Sequence, residues 1–347
     1  MKFLSYILLP IQIIYSVLTA CRNMLYSLKY FKIHNMKPLI ISIGNLKNGG
    51  TGKTPMVEYL IRIFKDKKIA ILSRGYGRQT KGFVLAKKKK NSAHDIGDEN
   101  SQLYHKFKNI LIAADTNRVK GVKKLLKIKP EIEIIILDDA YQHRQINRDI
   151  NILLTEYDDL FTEDQLMPIG QLREHKQEAK RADIIIITKC PEKIHKDYIE
   201  NKINKKTHQQ LYFSKISRYT FLDMTNNVEY NINTSSTHLL ITGIQNSKHL
   251  LKFLEEKNIN FFHLNFSDHY NFKDRDIEKM IKLKTDYQYS SQLLMTEKDY
   301  YRLSTKHKKI LKNTFKLICI EIKMDFIDND KLNFNNQLIN FTKSKTI

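Results

Sequence analysis

Cysteine is scarce in this sequence. Only Cys21, Cys190 and Cys319 occur, an odd number at wide spacing with no C-x-x-C pair. That excludes a disulfide framework, offers no zinc-site spacing and fits a reducing compartment. Glycine (11) and proline (6) are sparse across 347 residues, so no long linker is legible and any domain boundary is soft. No short-period internal repeat is present. Acidic residues are missing from one end of the chain, with none before Glu58. Positive charge is what abounds: 59 Lys and Arg against 37 Asp and Glu give a net charge of +22. Such a field attracts anions, whether nucleic acid, an anionic membrane face or phosphorylated substrates. The chain is also rich in Lys, Asn, Ile and Tyr, and compositional bias yields the same charge, so charge alone names no partner. An apolar fraction of 41% is that of a globular protein, and the length suits one large α/β domain or two unequal ones.

The acid-free N-terminus carries the longest apolar stretch, Phe3 to Ala20, interrupted by Pro10 and Gln12. Lys2 precedes it, Arg22, Lys29 and Lys32 follow it, and Tyr6, Tyr15, Tyr26 and Tyr30 lie within or near it. Apolar residues edged by cations and tyrosines suit the interface of an anionic bilayer, and the reading is a membrane-associated helix on a cytoplasmic face. A full span is an alternative, weakened by the polar insertions. A cleaved signal is another, because Leu18-Thr19-Ala20-Cys21 resembles a lipoprotein cleavage box.

From Lys37 the pattern changes. Pro38 to Ile43 is a short β-branched run ending at Gly44, followed by a glycine-rich loop, a helical stretch Thr54 to Phe64, and a second strand, Lys68 to Leu72. Strand, loop, helix and strand in this order open a doubly wound, mostly parallel sheet. Further strands read at 110–114, 132–137, 150–154 and 184–188, and Lys87 to Lys90 reads as a solvated turn. After about residue 205 the alternation restarts, with strands at 239–242, 261–266, 293–296 and 317–322. The expectation is an α/β protein: a membrane-associated helix (1–35), a P-loop NTPase-like core with a mostly parallel sheet (36–205) and a second, smaller α/β lobe (206–347).

The phosphate-binding octet is Lys47-Asn48-Gly49-Gly50-Thr51-Gly52-Lys53-Thr54. Its end matches the G-x-x-x-x-G-K-[ST] pattern, but Lys47 stands at the first glycine position. The physics survives. Gly49, Gly50 and Gly52 let backbone N–H groups curl around phosphate oxygens, and the following helix points its positive end at the same place. Lys53 would reach the β- and γ-phosphates of ATP, and the Thr54 hydroxyl would hold Mg²⁺. Asp138 and Asp139, at the tip of the 132–137 strand, are placed for the same Mg²⁺ or its waters.

Seven blocks follow one another along the chain: Gly49-Gly50-Thr51-Gly52-Lys53-Thr54-Pro55, Ser73-Arg74-Gly75-Tyr76-Gly77, Gly97-Asp98-Glu99, Asp138-Asp139-Ala140-Tyr141-Gln142-His143, Leu172-Arg173-Glu174, Asp268-His269 and Met295-Thr296-Glu297-Lys298-Asp299. Together, behind an apolar N-terminal helix, they resemble the signature blocks of the tetraacyldisaccharide 4′-kinase family of lipid A biosynthesis. The resemblance implies transfer of the ATP γ-phosphate to the 4′-hydroxyl of a tetraacyldisaccharide 1-phosphate, giving lipid IVA, at the cytoplasmic face of the inner membrane. The acceptor is then an acylated disaccharide phosphate lipid on an anionic membrane surface, with no protein partner expected. Asn100 after Gly-Asp-Glu, Ala140 after the paired aspartates and His175 after Arg-Glu depart from the common pattern, but none removes a chemical group.

By the same resemblance Asp98 is the catalytic aspartate and His269 the histidine that pairs with it. Their separation along the chain implies a second lobe folding over the first. Glu174 is a candidate third acidic group near Mg²⁺. Arg118 and Arg173 lead the arginines that could neutralise a phosphoryl group, and Gln142 and His143 are candidates for phosphate or acceptor contacts. Lys298 and Asp299 read as a local ion pair. A different class stays open: a partitioning or regulatory ATPase of the deviant Walker type also uses such a loop. Its signature lysine stands just before the glycine pair, where this chain has Asn48. No nucleic-acid-binding module is recognisable, so no nucleic acid partner is expected.

Overall fold

The computed structural model describes residues 2–88, 91–287, 289 and 291–345; Lys89 and Lys90 of the expected charged turn, and the side chains of residues 2–6, including Lys2 and Tyr6, lie outside them. The chain divides into two compact units. Unit one comprises 1–74, 109–216 and 324–347, and unit two comprises 75–108 and 217–323. This differs from cuts near 35 and 205. The N-terminal helix belongs to unit one, the last helix returns to it, and residues 75–108 join unit two.

Unit one is built on runs of Ile and Leu that are apolar on both faces, as strands of a parallel sheet covered on both sides must be. Leu39–Gly44 is central, parallel to Ile134–Leu137 on one side and to Ile150–Glu156 on the other. Beyond Ile134–Leu137 lie Ile69–Ser73 and then Leu111–Ala114, and beyond Ile150–Glu156 lie Ile184–Thr188 and the start of Gln210–Asp223. Every one of these pairs is parallel. The register Ser42↔Leu137 sets the ends of two neighbouring strands side by side, so the loop after Gly44 and the pair Asp138-Asp139 emerge together. Gly44 permits this closeness, because a Cβ there would lie 2.7 Å from the Cβ of Tyr141. The C-terminal helix Asp330–Lys345 brings Phe334 against Tyr212, Phe326 and Tyr59.

Unit two carries its own parallel strands in the order Phe261–Asn265, His238–Thr242, Gln292–Thr296, Lys316–Phe326. Its core packs Leu239, Ile241, Met295 and Cys319 against Ile277, Met280 and Leu311 from neighbouring helices. The Gln210–Asp223 strand, which no sequence segment announced, runs 14 residues with an irregular burial pattern.

The Lys2–Ser27 helix contains a segment, Ile7–Ser27, long and apolar enough to cross a membrane. It is nonetheless docked on unit one along one stripe. Gln12 donates to the carbonyl of Leu166, the Tyr15 hydroxyl to the carbonyl of Arg173 at 2.7 Å, and Asn23 to Glu174; Tyr26 is buried. Residues 12, 15, 19, 22, 23 and 26 share a helix face at this spacing. The other face exposes Ile7, Ile11, Ile14 and Leu18, at 56, 54, 61 and 63%. Replacing Ile14 and Leu18 together by Asn is expected to reduce co-sedimentation with anionic vesicles while moving the melting temperature by only about 1 °C, since exposed side chains contribute little to folding. Wild-type sedimentation by that variant would show that this face makes no membrane contact.

Candidate active site

In unit one the phosphate-binding loop connects Leu39–Gly44 to the helix Lys53–Ile63. Gly52 (φ 84°) and Gly49 (φ 146°) adopt backbone angles that side chains resist. Thr51 and Thr54 are buried at the helix start. Asn45 braces the loop, its amide reaching the Thr51 hydroxyl at 3.1 Å and the Gly49 carbonyl at 3.3 Å. From outside, Gln142 donates to the Asn45 carbonyl at 3.0 Å and the Thr188 hydroxyl to the Thr51 carbonyl at 3.1 Å. The loop's first half pairs with a second segment: Lys47 bridges antiparallel to Leu172, Asn48 N–H donates to Gln171, and Arg173 N–H donates to Leu46.

The Lys47 side chain is spoken for. Its ammonium is nearly buried and pairs with Asp159 and, at 2.9 Å, with Asp164. It fastens the loop's flank to Asp159 and Asp164. Lys53 is the cation of the loop proper, with Nζ 3.4 Å from the Gly49 carbonyl and 3.6 Å from Asp139 Oδ1.

Asp139 sits in the left-handed region (φ 47°), a conformation aspartate tolerates. Arg173 grips both its oxygens, at 3.0 and 3.1 Å, and donates Nε to the Asn48 side chain at 2.7 Å. Burial would raise the Asp139 pKa, but the charges of Lys53, Arg173 and Arg118 outweigh it and hold it down at about 2. Asp138 is buried, with its N–H on the Leu72 carbonyl. Arg118, also buried, donates to the backbone carbonyls of Asp115 (2.6 Å) and Asp138 (3.1 Å), so it shapes the turn that presents the acidic pair. Burial first, and then the Arg118 charge, push the His143 pKa down to about 3.

Glu174 has a different setting from the one expected of a metal ligand. It is 1% exposed, and its carboxylate is shared among Asn23 (3.1 Å), Arg22 (3.4 Å) and Arg181. Shared between two guanidinium groups, this carboxylate ties the N-terminal helix to unit one.

An oxygen-only set of Thr54, Asp138 and Asp139 suits a hard divalent cation. Among the described residues no group of three or more His, Cys, Asp or Glu forms a metal cage. Mg²⁺ fits that arrangement, since it takes one or two carboxylates and completes its shell with water and substrate phosphates.

Unit two holds the other chemical group. Gly97 (φ 90°) starts the helix Asp98–Lys106, and a Cβ there would lie 2.8 Å from the Tyr76 carbonyl. Asp98 is 4% exposed; its Oδ2 meets His269 Nδ1 at 2.9 Å, and the Tyr76 ring lies 4.4 Å from the imidazole. Asp98 and His269 thus meet inside one unit, because residues 75–108 belong with 217–323. Their pairing needs no folding of one lobe over another. Lys298 and Asp299 do not pair with each other. Lys298 reaches Glu99 at 2.6 Å, and Asp299 pairs with Arg302 at 3.0 Å.

The model of the family described as tetraacyldisaccharide-1-P 4′-kinase matches residues 4–342. The chain belongs to this family. It is an ATP-dependent kinase of lipid A biosynthesis, and the partitioning-ATPase alternative is not favoured. Tetraacyldisaccharide 4′-kinase of Flavobacterium psychrophilum is 39% identical over 359 residues, covering 100% of this chain and 99% of that protein. The Bacteroides fragilis enzyme of the same name is also 39% identical, with 98% and 93% covered. A crystal structure described as the "apo" form of LpxK from Aquifex aeolicus in complex with ATP superposes with a TM-score of 0.73 at 27% identity, covering 97% of this chain and 99% of that one. The α/β fold and the use of ATP with Mg²⁺ accord with this membership.

Two lysines of one loop are expected to separate experimentally. Lys53→Met should lower kcat by ~10² or more, as loss of a charge contact to the transferring phosphoryl group does. Lys47→Met should lower the melting temperature and raise the KM for ATP a few-fold with little change in kcat; a kcat loss equal to that of Lys53→Met would place the Lys47 ammonium on the nucleotide. A second expectation concerns pH. The unfolded chain protonates His143 near 6.5 and the folded chain near 3, so the unfolded state binds more protons between these values. Stability therefore falls as pH drops through this window. Urea unfolding of His143→Gln between pH 7 and 4 should show a shallower decline than wild type, and an equal slope would remove His143 from the balance.

Proposed function

We propose that this kinase holds nucleotide through residues 47–54 and takes the acceptor's proton with the Asp98–His269 pair. The acceptor is the 4′-hydroxyl of a tetraacyldisaccharide 1-phosphate. The observation that carries this reading is the 2.9 Å contact between Asp98 and His269 in a chain whose other unit bears the phosphate loop. A sugar hydroxyl is a weak nucleophile, and a positioned base that removes its proton during transfer assists the reaction by ~10²–10⁴-fold.

The loop's backbone N–H groups and Lys53 would hold the phosphates, and Thr54, Asp138 and Asp139 would hold Mg²⁺, which when bound neutralises phosphate charge. Lys53 and Arg173 share Asp139 and so place two cations at the mouth of the loop. Arg118 and Gln142 act by fixing backbone carbonyls, and His143 stands by as a neutral ring.

The N-terminal helix lies on the membrane in this reading and does not span it. Its docked stripe runs from Gln12 to Tyr26, and a spanning helix would have to abandon those bonds. The exposed apolar stripe then enters the bilayer where the acyl chains of the acceptor lie. Because ATP is consumed, the face is the cytoplasmic one.

The test is the mass of the product formed from ATP, Mg²⁺ and a tetraacylated disaccharide 1-phosphate in detergent micelles. The expected product carries one added phosphoryl group at the 4′ position. Asp98→Ala should lower kcat by ~10²–10⁴-fold with the KM for ATP little changed. ATP hydrolysis independent of the lipid, or wild-type turnover by Asp98→Ala, would overturn the assignment.

A further inference from the structure

The proton-accepting pair has a third member that no motif singled out. Arg302, at the end of the helix Glu297–Arg302, is 5% exposed. Its guanidinium is shared by two buried carboxylates. Nε and Nη2 lie 2.8 and 2.7 Å from Asp98 Oδ2, and Nη1 donates to Asp299 Oδ1 at 3.0 Å and to the Gly243 carbonyl. Asp299 is itself fixed, accepting the Gly243 N–H at 3.0 Å and the Thr296 hydroxyl at 2.6 Å. The Gly243 carbonyl also accepts the backbone N–H of His269 at 3.2 Å. A Cβ on Gly243 would lie 3.1 Å from Asp299 Oδ1 and 3.2 Å from Arg302 Nη1, so glycine leaves room for the fork. One side chain thereby fixes both the Asp98 carboxylate and the loop that carries His269.

These bonds settle who holds a proton. A guanidinium offers donors only and keeps its charge, so the Asp98 oxygen facing it is an acceptor. Burial would raise the Asp98 pKa, but the His269 hydrogen bond and the charges of Arg302 and Lys298 hold it well below the usual carboxylate range. With an acceptor-only carboxylate at 2.9 Å, His269 Nδ1 must carry the shared hydrogen. The basic atom of the neutral ring is then Nε2, 3.8 Å from Asp268 Oδ2. The remaining charges around Asp98 are Glu99 on its own helix, paired with Lys298, and Asp299, paired with Arg302.

We propose that Arg302 is a positioning residue for phosphoryl transfer: it holds Asp98 as an ionised acceptor for His269 Nδ1 and, through the Gly243 carbonyl, holds the loop that carries His269. This rests on the reading of Asp98 and His269 given above. In the step, the hydroxyl O–H bond breaks and the oxygen's electron pair forms the new O–P bond. The proton passes to the Asp98–His269 pair. The bond from the γ-phosphorus to the bridging oxygen breaks with its pair leaving on ADP.

The test compares pH profiles of kcat for wild type, Arg302→Lys, Arg302→Met and Asp98→Asn, with the KM for ATP as a control. Arg302→Met is expected to lose about tenfold or more in kcat with an unchanged KM. Its acidic limb should move up by about one pH unit, because the imidazolium then faces a carboxylate no longer shared with a guanidinium. Arg302→Lys should restore the limb to its wild-type position. Wild-type kcat and limb in Arg302→Met, beside an inactive Asp98→Asn, would overturn the role of Arg302 and leave the pair intact; an active Asp98→Asn would overturn the pair itself. A measurement on the unaltered protein stands whether or not the Met variant folds. The ¹⁵N shifts of histidine-labelled enzyme, with His269→Gln assigning the signal, should show the neutral ring protonated at Nδ1. An Nε2–H tautomer would refute the proposal.

Discussion

A carboxylate removed from water must meet a cation that can satisfy its lone pairs, and this protein meets that demand with arginine at three places. Arg302 serves Asp98, Arg181 and Arg22 serve Glu174, and Arg173 serves Asp139. The planar fork suits the role, since its donors are held in fixed directions and its charge is permanent. Each pair also has a mechanical duty: one orients an imidazole, one docks a helix, and one ties the phosphate loop to the acidic turn. Losing one member of such a pair leaves a charge stranded, which costs more than the pair contributes as a whole. The excess of 59 basic over 37 acidic residues therefore has an interior share as well as a surface one.

What the sequence revealed and what it hid follow a physical line. Strands such as Leu39–Gly44, Ile134–Leu137 and Ile184–Thr188 were legible because both their faces are buried and their text is uniformly apolar. Gln210–Asp223 was not, because its burial is uneven and polar residues interrupt it. The phosphate loop was readable from local chemistry, since three glycines, a lysine and a threonine act through a few consecutive residues. The charges around it were not. Lys47 looked like a nucleotide contact, and only the fold brings Asp159 and Asp164 to its ammonium. Glu174 looked like a metal ligand by its place beside Arg173, yet Asn23 and Arg22, 151 and 152 residues away, claim it. Arg302 stood three residues beyond a recognised block, and its only hint was the helical i,i+3 spacing from Asp299.

The N-terminal helix shows two demands met by one segment. One stripe is hydrogen-bonded to unit one, and another exposes Ile7, Ile11, Ile14 and Leu18. The docked helix is tied to the acidic turn, because Tyr15 binds the backbone of the same Arg173 that grips Asp139.

The insertion of residues 75–108 into the second unit has a consequence for how the protein is made. Asp98 waits 171 residues for His269 and 204 for Arg302. At a ribosomal pace of ~5–20 residues per second, that is a delay on the order of 10–40 s before those two partners exist. The phosphate loop finishes its own strand and helix early, but the last helix, with Phe334 against Tyr59, is needed to seal that unit too. Unit two is complete once residue 323 has emerged, whereas unit one waits for the last helix. A chain terminated before residue 302 lacks the cation that pairs with Asp98, and one terminated before residue 330 lacks the helix that packs Phe334 on Tyr59.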